Sequence, residues 1–163
     1  MLNKKQIKKL IEDNKLIENY IDLETQLTPN GFDFSAEKIF RIKGKGKLDF
    51  SNSERVLPKV EEIIPENSWW FLEKGAYKIR TNEIINLPNN LIAVSFPRSS
   101  LLRMNAFTQH GVWDAGFKGK SEFILIVENE QGIEIKENAR INQLIFVPID
   151  ESEAYDGIYK NIK

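Results

Sequence analysis

Apolar residues change their spacing once along this chain. Near the N-terminus Ile7, Leu10 and Ile11 recur at steps of three and four, the spacing of one helix face. Asn3 can cap that face, and Gln6 follows three residues later as in a capping box. The pattern predicts a short amphipathic helix over residues 3–18, within an N-terminal helical segment 1–20, with Lys4, Lys5, Lys8 and Lys9 on its wet side. From Phe32-Asp33-Phe34 onward the period is two, and apolar runs are short. Strands are predicted at 68–72, 76–81, 83–87, 91–96, 121–128, 133–135 and 140–149. Turn chemistry separates them at Thr28-Pro29-Asn30-Gly31, Gly75, Pro88-Asn89-Asn90 and Glu130-Gln131-Gly132, and 44–53 reads as a hairpin or surface loop. Many short strands with turns between them indicate an antiparallel barrel or sandwich. No repeat, low-complexity stretch or long linker divides the chain, so 1–163 reads as one domain. The tail, 150–163, is polar but carries Tyr155, Ile158 and Tyr159. It reads as a frayed end or as an arm on a neighbouring subunit.

Composition narrows the chemistry. With 163 residues, 41 % of them hydrophobic and 29 % charged, the chain can build a real core and a well-solvated surface. A formal net charge of −1 argues against a general nucleic-acid or anionic-membrane binder, which carries a basic excess. There is no cysteine and a single histidine, which excludes disulfides, thiolate metal sites and a His-rich metal centre within one chain. No residue is therefore assigned to a metal. A divalent ion can still arrive on substrate phosphates. The N-terminus is charged throughout and lacks the apolar core of a signal peptide, and no run approaches the ~20 apolar residues of a membrane span. A cytoplasmic protein is expected.

The chemistry-bearing residues gather between Phe96 and Gly119. Arg98-Ser99-Ser100 offers a guanidinium, two hydroxyls and turn amides, which suit phosphate oxygens. Arg103, five residues on, would reach the same anion across a helical turn. The same residues also read as a surface arginine and a Ser-capped turn. In Gly111-Val112-Trp113-Asp114-Ala115-Gly116-Phe117-Lys118-Gly119, three glycines allow tight turns and bare backbone. Asp114 would stand at the entrance of such a hairpin, placed to orient a water, and Phe117 could stack on a sugar. An ordinary Asp-Ala-Gly turn with a half-buried Phe is the competing reading. His110, beside the hairpin, is expected to pack or hydrogen-bond rather than act as an acid or base.

Four segments taken together resemble the family of dUTP pyrophosphatases and dCTP deaminases. GFDF at 31–34 is similar to the family's first motif, AGxDL or SYDLR. PRSSL at 97–101 is similar to the second, GVWDAGFKG at 111–119 to the third (GVIDxxYxG) and RINQLIFVP at 140–148 to the fourth (RIAQLIFxP). Order and spacing agree over most of the chain. The N-terminal helix, the 74–93 segment and the RSSxxR pattern of Arg98, Ser99, Ser100 and Arg103 look nearer the archaeal deaminase-like branch. The resemblance implies a jelly-roll-like distorted β-barrel and a homotrimer whose three sites are each built from more than one subunit. It implies that Asp114 orients the attacking water and meets the sugar hydroxyl, and that Phe117 stacks on deoxyribose. Gly111 and its hairpin would read the base, while Arg98, Ser99, Ser100, Arg103 and Gln143 hold phosphates. Asp33 and Arg140 would order the site, Asp33 by pairing with an arginine, and magnesium would come with the triphosphate. Deaminases of the family carry a glutamate ten positions after the third-motif aspartate, where it moves protons at the ring. Here that position is Ile124, as in the pyrophosphatases. Glu122 lies two residues earlier on the same strand face, about 7 Å away at ~3.3 Å per residue, unless a bulge brings it closer. The expected activity is hydrolysis of dUTP to dUMP and pyrophosphate. Deamination of dCTP, alone or coupled, is the alternative. A non-catalytic nucleotide binder is a third reading, because the chain ends YDGIYKNIK instead of in the glycine-rich arm of many dUTPases.

Overall fold

A computed structural model describes residues 1–160. The last three residues of the predicted tail lie outside the described residues. The chain opens with α1 (Lys4–Asn14), β1 (Ile17–Glu18), α2 (Leu23–Gln26) and β2 (Leu27–Thr28). Strands then dominate, as β3 (Gly31–Lys43), β4 (Lys59–Ile63), β5 (Trp69–Leu72), β6 (Gly75–Asn86) and β7 (Leu91–Pro97). A short helix, α3 (Ser99–Arg103), precedes β8 (Ala106–Gln109), β9 (Lys118–Val127), β10 (Ile133–Lys136) and β11 (Arg140–Pro148). The main sheet runs β7-β11-β3-β6-β9-β8 with every pair antiparallel, and β1, β2 and β4 add to it at β6 and β3. β5 and β10 form a separate ribbon. The two ends of the sheet meet, because Trp113, between β8 and β9, exchanges both backbone hydrogen bonds with Ala93 on β7, each 3.0 Å. The nearly closed, barrel-like β-sheet with a small N-terminal helix is the architecture expected from the sequence.

The period-two pattern fills the interior. Along β6, Tyr77, Ile79, Thr81, Glu83 and Ile85 turn inward, and along β9, Phe123, Leu125 and Val127 do the same. Phe32 and Phe34 meet edge to face at 6.2 Å. Both are fully buried together with Ile39, Ile79, Leu125 and Phe146.

Three local readings need correction. The capping box forms as expected, with Gln6 N–H on Asn3 at 3.1 Å and Asn3 N–H on Gln6 at 3.0 Å. The helix nevertheless stops at Asn14 and does not fill 3–18 or 1–20. Lys15 turns left-handed at φ 53° and closes the helix on Ile11. Leu16 and Ile17 are then both buried, and Ile17 pairs with Ile85. The predicted strands 76–81 and 83–87 are one strand, β6, interrupted by a register shift between Arg80 and Ile84. β8 was not anticipated, since four residues carry too little periodicity to read.

β11 lies between β3 and β7, with Gln143 opposite Asp33 on one side and Phe96 on the other. Gly31 permits this approach, because a Cβ there would stand 2.2 Å from the backbone oxygen of Leu144. Backbone cannot step aside as a side chain can. Gly31→Ala should therefore lower the unfolding free energy by about 1–3 kcal/mol, the usual effect of overpacking, measured by urea denaturation. A parental midpoint would show that the β3–β11 contact is looser than described.

Candidate active site

Asp33 on β3 is 3 % exposed and carries a charge that burial makes expensive unless it is paired. It is paired twice. Its Oδ2 forms an ion pair with Arg98 Nε at 3.0 Å and accepts a hydrogen bond from Arg140 Nη1 at 3.2 Å. Burial pushes the Asp33 carboxyl above the ordinary carboxylate range, and the two guanidiniums hold it back. Each arginine is fixed a second time. Arg98 Nη1 donates to the Arg140 carbonyl at 3.1 Å, and Arg140 Nη1 to the Thr25 carbonyl at 2.7 Å. A guanidinium has five donors in a rigid fork, and about a third of each side chain remains open to solvent. Both arginines can therefore offer further N–H groups to an anion. Arg98 stands at the N-cap of α3, with Ser99 and Ser100 exposed in its first turn and Arg103 exposed in its last. Gln143, on β11 and opposite Asp33, donates its amide to the Thr28 hydroxyl. The structure thus brings Asp33, Arg98, Arg140 and Gln143 together, with Ser99 and Ser100 following Arg98 directly in the chain.

The glycine-rich segment forms a second centre. Trp113 is pinned to Ala93 and donates its indole N–H to Ser121 Oγ at 2.8 Å. Asp114 is exposed, and its carbonyl accepts from Phe117 N–H at 3.1 Å to close the turn. Gly116 takes φ +74° there, with Ala154 of the tail packed where a Cβ would fall. Beside the turn lies a cleft of about 510 Å³ lined by Gly111, Phe117, Glu122, Ile124, Tyr155 and Tyr159, among others. Asp114 is next to this lining and not part of it. The tail runs back over its own chain. Ser152 N–H binds the Asn89 carbonyl at 2.9 Å, Tyr155 N–H binds the Ala115 carbonyl at 2.7 Å, and the Tyr155 ring sits 5.7 Å from that of Phe117.

Ile124 faces the cleft, and Glu122 faces it two residues away. The bulge that would have moved Glu122 falls in β6, opposite a regular stretch of β9. Glu122 is also engaged by Lys78 at 3.0 Å and by Arg80 Nε and Nη2 at 2.9 and 2.8 Å. Its oxygens are spent on cations.

The two centres are far apart within one chain. Trp113 is fixed opposite Ala93, and Arg98 lies five residues further along β7 and its extension. At ~3.3 Å per residue that is about 16 Å. Asp114 is adjacent to Trp113, so one chain does not bring it to its own Arg98. Two buried residues behind Asp33, Gln26 and Glu83, gave no signal in the sequence. Neither belongs to a motif, and only the fold shows that both side chains point inward.

His110 packs on Phe123 at 4.7 Å and Trp113 at 5.7 Å, with Nε2 beside Asn142 Nδ2 at 3.3 Å. Burial lowers its pKa to about 4. A base whose folded pKa lies below its unfolded value binds protons preferentially when unfolded. This residue's contribution to stability is therefore intact above about pH 6.5 and is lost as the pH falls towards about 4. Because there is one histidine, its imidazole signals in an NMR titration are unambiguous. They should stay at their neutral positions from pH 8 to 5.5, and a midpoint near 6.5 would contradict the packing described.

Comparisons with known proteins bear on the family and the fold. The family model described as dCTP deaminase-like matches residues 1–149. The probable deoxyuridine 5′-triphosphate nucleotidohydrolase of Archaeoglobus fulgidus is 43 % identical over 161 residues, which is 98 % of this chain and 95 % of that protein. The deoxyuridine 5′-triphosphate nucleotidohydrolase of Methanocaldococcus jannaschii is 39 % identical over 140 residues, covering 84 % of this chain and 88 % of its own. In fold, the crystal structure of 2′-deoxycytidine 5′-triphosphate deaminase from Agrobacterium tumefaciens superposes with a TM-score of 0.68 at 21 % identity, over 91 % of this chain and 47 % of that one. With the family model spanning nearly the whole chain, and relatives this similar across it, the protein belongs to the dCTP deaminase-like family.

Proposed function

We propose that this protein hydrolyses dUTP to dUMP and pyrophosphate, in sites completed between copies of a homotrimer. The choice of reaction rests chiefly on Ile124 in the cleft wall. Removing ammonia from a pyrimidine requires a group there that gives and takes protons, and isoleucine has none. Relatives named as deoxyuridine 5′-triphosphate nucleotidohydrolases match nearly the whole chain. Assembly is supported by the separation of Asp114 from Arg98, since a nucleotide must touch both.

In this reading the hairpin backbone at Gly111 pairs with uracil, and Phe117 packs against the deoxyribose where a 2′-hydroxyl would not fit. Asp114 orients a water in line with the α-phosphorus. The water oxygen bonds to phosphorus as the bond to the bridging oxygen of the β-phosphate breaks. Pyrophosphate leaves with that oxygen, and the proton passes by way of Asp114 to solvent. A carboxylate is a weak base, so alignment and charge stabilisation supply most of the acceleration. Arg98, Ser99, Ser100, Arg103 and Gln143 of a neighbouring copy hold the phosphates, Gln143 exchanging its bond to Thr28 for one to the ligand. Asp33 and Arg140 keep Arg98 in place. The ion in this reading is carried by the hard oxygens of the triphosphate. Magnesium so bound would neutralise charge on the triphosphate. The reading includes one dUTPase-like domain over 1–163 and a cytoplasmic location, where a free nucleotide pool is met.

Deamination of dCTP is the second reading, favoured by the presence of Glu122 in the cleft and opposed by its ion pairs to Lys78 and Arg80. Offered dUTP, dCTP, dTTP and UTP with magnesium, the protein should release pyrophosphate from dUTP and no ammonia from dCTP. Asp114→Asn should lower kcat by about 10²–10⁴-fold, the range for a residue that handles the water's proton, with dUTP binding retained in calorimetry. Turnover of that variant at the parental rate would remove Asp114 from the mechanism. Ammonia from dCTP would restore the deaminase reading, and dUTP binding without pyrophosphate release would make the protein a non-catalytic binder.

A further inference from the structure

The buried residues behind Asp33 do something the strands do not. β3 changes partners in this region. Up to Phe32 its neighbour on one edge is β2, and from Ala36 it is β6. Between them no strand among the described residues covers the backbone on that edge. Two side chains take its place. Gln26 Nε2 donates to the Asp33 carbonyl at 2.9 Å, and Glu83 Oε2 accepts from Ser35 N–H at 3.0 Å. They are joined to each other, Gln26 Nε2 to Glu83 Oε1 at 2.6 Å, and Ser35 Oγ donates to the same Oε1 at 2.5 Å. Gln26 Oε1 is fixed by the N–H groups of Ile21 and Asp22 at 2.7 and 3.0 Å. Gln26 is 2 % exposed and Glu83 has no exposure. Every group facing the Glu83 carboxylate is a donor, so an acceptor-only side chain fits there. Burial pushes this carboxyl upward, and the bonds from Ser35 and Gln26 oppose that. Thr25, beside Gln26, supplies the carbonyl that holds Arg140.

We propose that Glu83, acting through Gln26 and the backbone of Asp33–Ser35, is a positioning residue for the Asp33–Arg98–Arg140 cluster. The pair substitutes for a missing strand and fixes the height at which Asp33 presents its carboxylate to the two arginines. This rests on the reading that the cluster holds the triphosphate. Glu83 does not itself meet the nucleotide.

Glu83→Gln replaces one carboxylate oxygen by an NH2 group that faces a donor at a buried position and leaves the shape unchanged. Gln26→Met keeps the volume and removes the bond to the Asp33 carbonyl. Both should raise KM for dUTP by about tenfold while kcat changes less, the pattern of lost substrate positioning as opposed to lost chemistry. Binding of inorganic tripolyphosphate, followed by calorimetry, should weaken by the same factor. Leu125→Ala, a buried truncation on β9, serves as the structural comparison and should lower Tm without moving KM. If Glu83→Gln does not fold, Gln26→Met carries the test. Folded variants with parental KM and parental tripolyphosphate affinity would overturn the inference alone. A parent protein that neither hydrolyses dUTP nor binds tripolyphosphate would overturn the reading of the cluster and this inference with it.

Discussion

A carboxylate with almost no exposure must be matched by cations or not be charged at all, and Asp33 is matched by two. Taking one partner from such a buried arrangement costs about 3–5 kcal/mol, because the charge left behind has no water to turn to. That constraint organises one end of the barrel. It requires β11 to run beside β3 so that Arg140 reaches Asp33. It also requires the end of β7 to lie on the other side of β11 so that Arg98 does so too. Arg98 is consequently not a surface arginine free to wander. Its guanidinium is held on one edge and open on the other, the state in which an arginine can meet a phosphate with little ordering left to do.

The second constraint is the seam at Trp113 and Ala93. By closing the sheet it places the Asp114 turn and the cleft at one end of β7, while Arg98 stands beyond the other end. The same bonds that make the barrel therefore separate the group that would orient water from the groups that would hold phosphate. Closed homo-oligomers bring unlike patches of identical chains together, and the proposed trimer uses that geometry. The tail adds a wall on the cleft side, where Tyr155 covers part of Phe117 from within the same chain.

Much of this was legible in the sequence. The short apolar runs in SEFILIVE and RINQLIFVP announced two strands, because such a run bounded by turn residues fits a buried strand. The spacing of the four motifs pointed to the family and to Asp114, Arg98 and Asp33. The helix end was not legible, since Leu16 and Ile17 obey helical spacing until a strand partner for Ile17 exists. Nor could Glu122 be judged, because only the register of β6 against β9 reveals Lys78 and Arg80 beside it. Gln26 and Glu83 were invisible for a related reason. Gln26 ends the short helix α2 and Glu83 lies in β6, and both polar side chains are buried where β3 changes partners.

The central claim is that water-orienting and phosphate-holding groups meet only across copies. Two inactive variants, Asp114→Asn and Arg98→Ala, can be co-expressed, and mixed oligomers purified through two tags. If each site takes Arg98 from one copy and Asp114 from its neighbour, every mixed trimer rebuilds one of its three sites, and dUTP hydrolysis should return to about a third of the parental rate. Mixed oligomers as inactive as either variant alone would place both residues of a site in one chain and contradict the account.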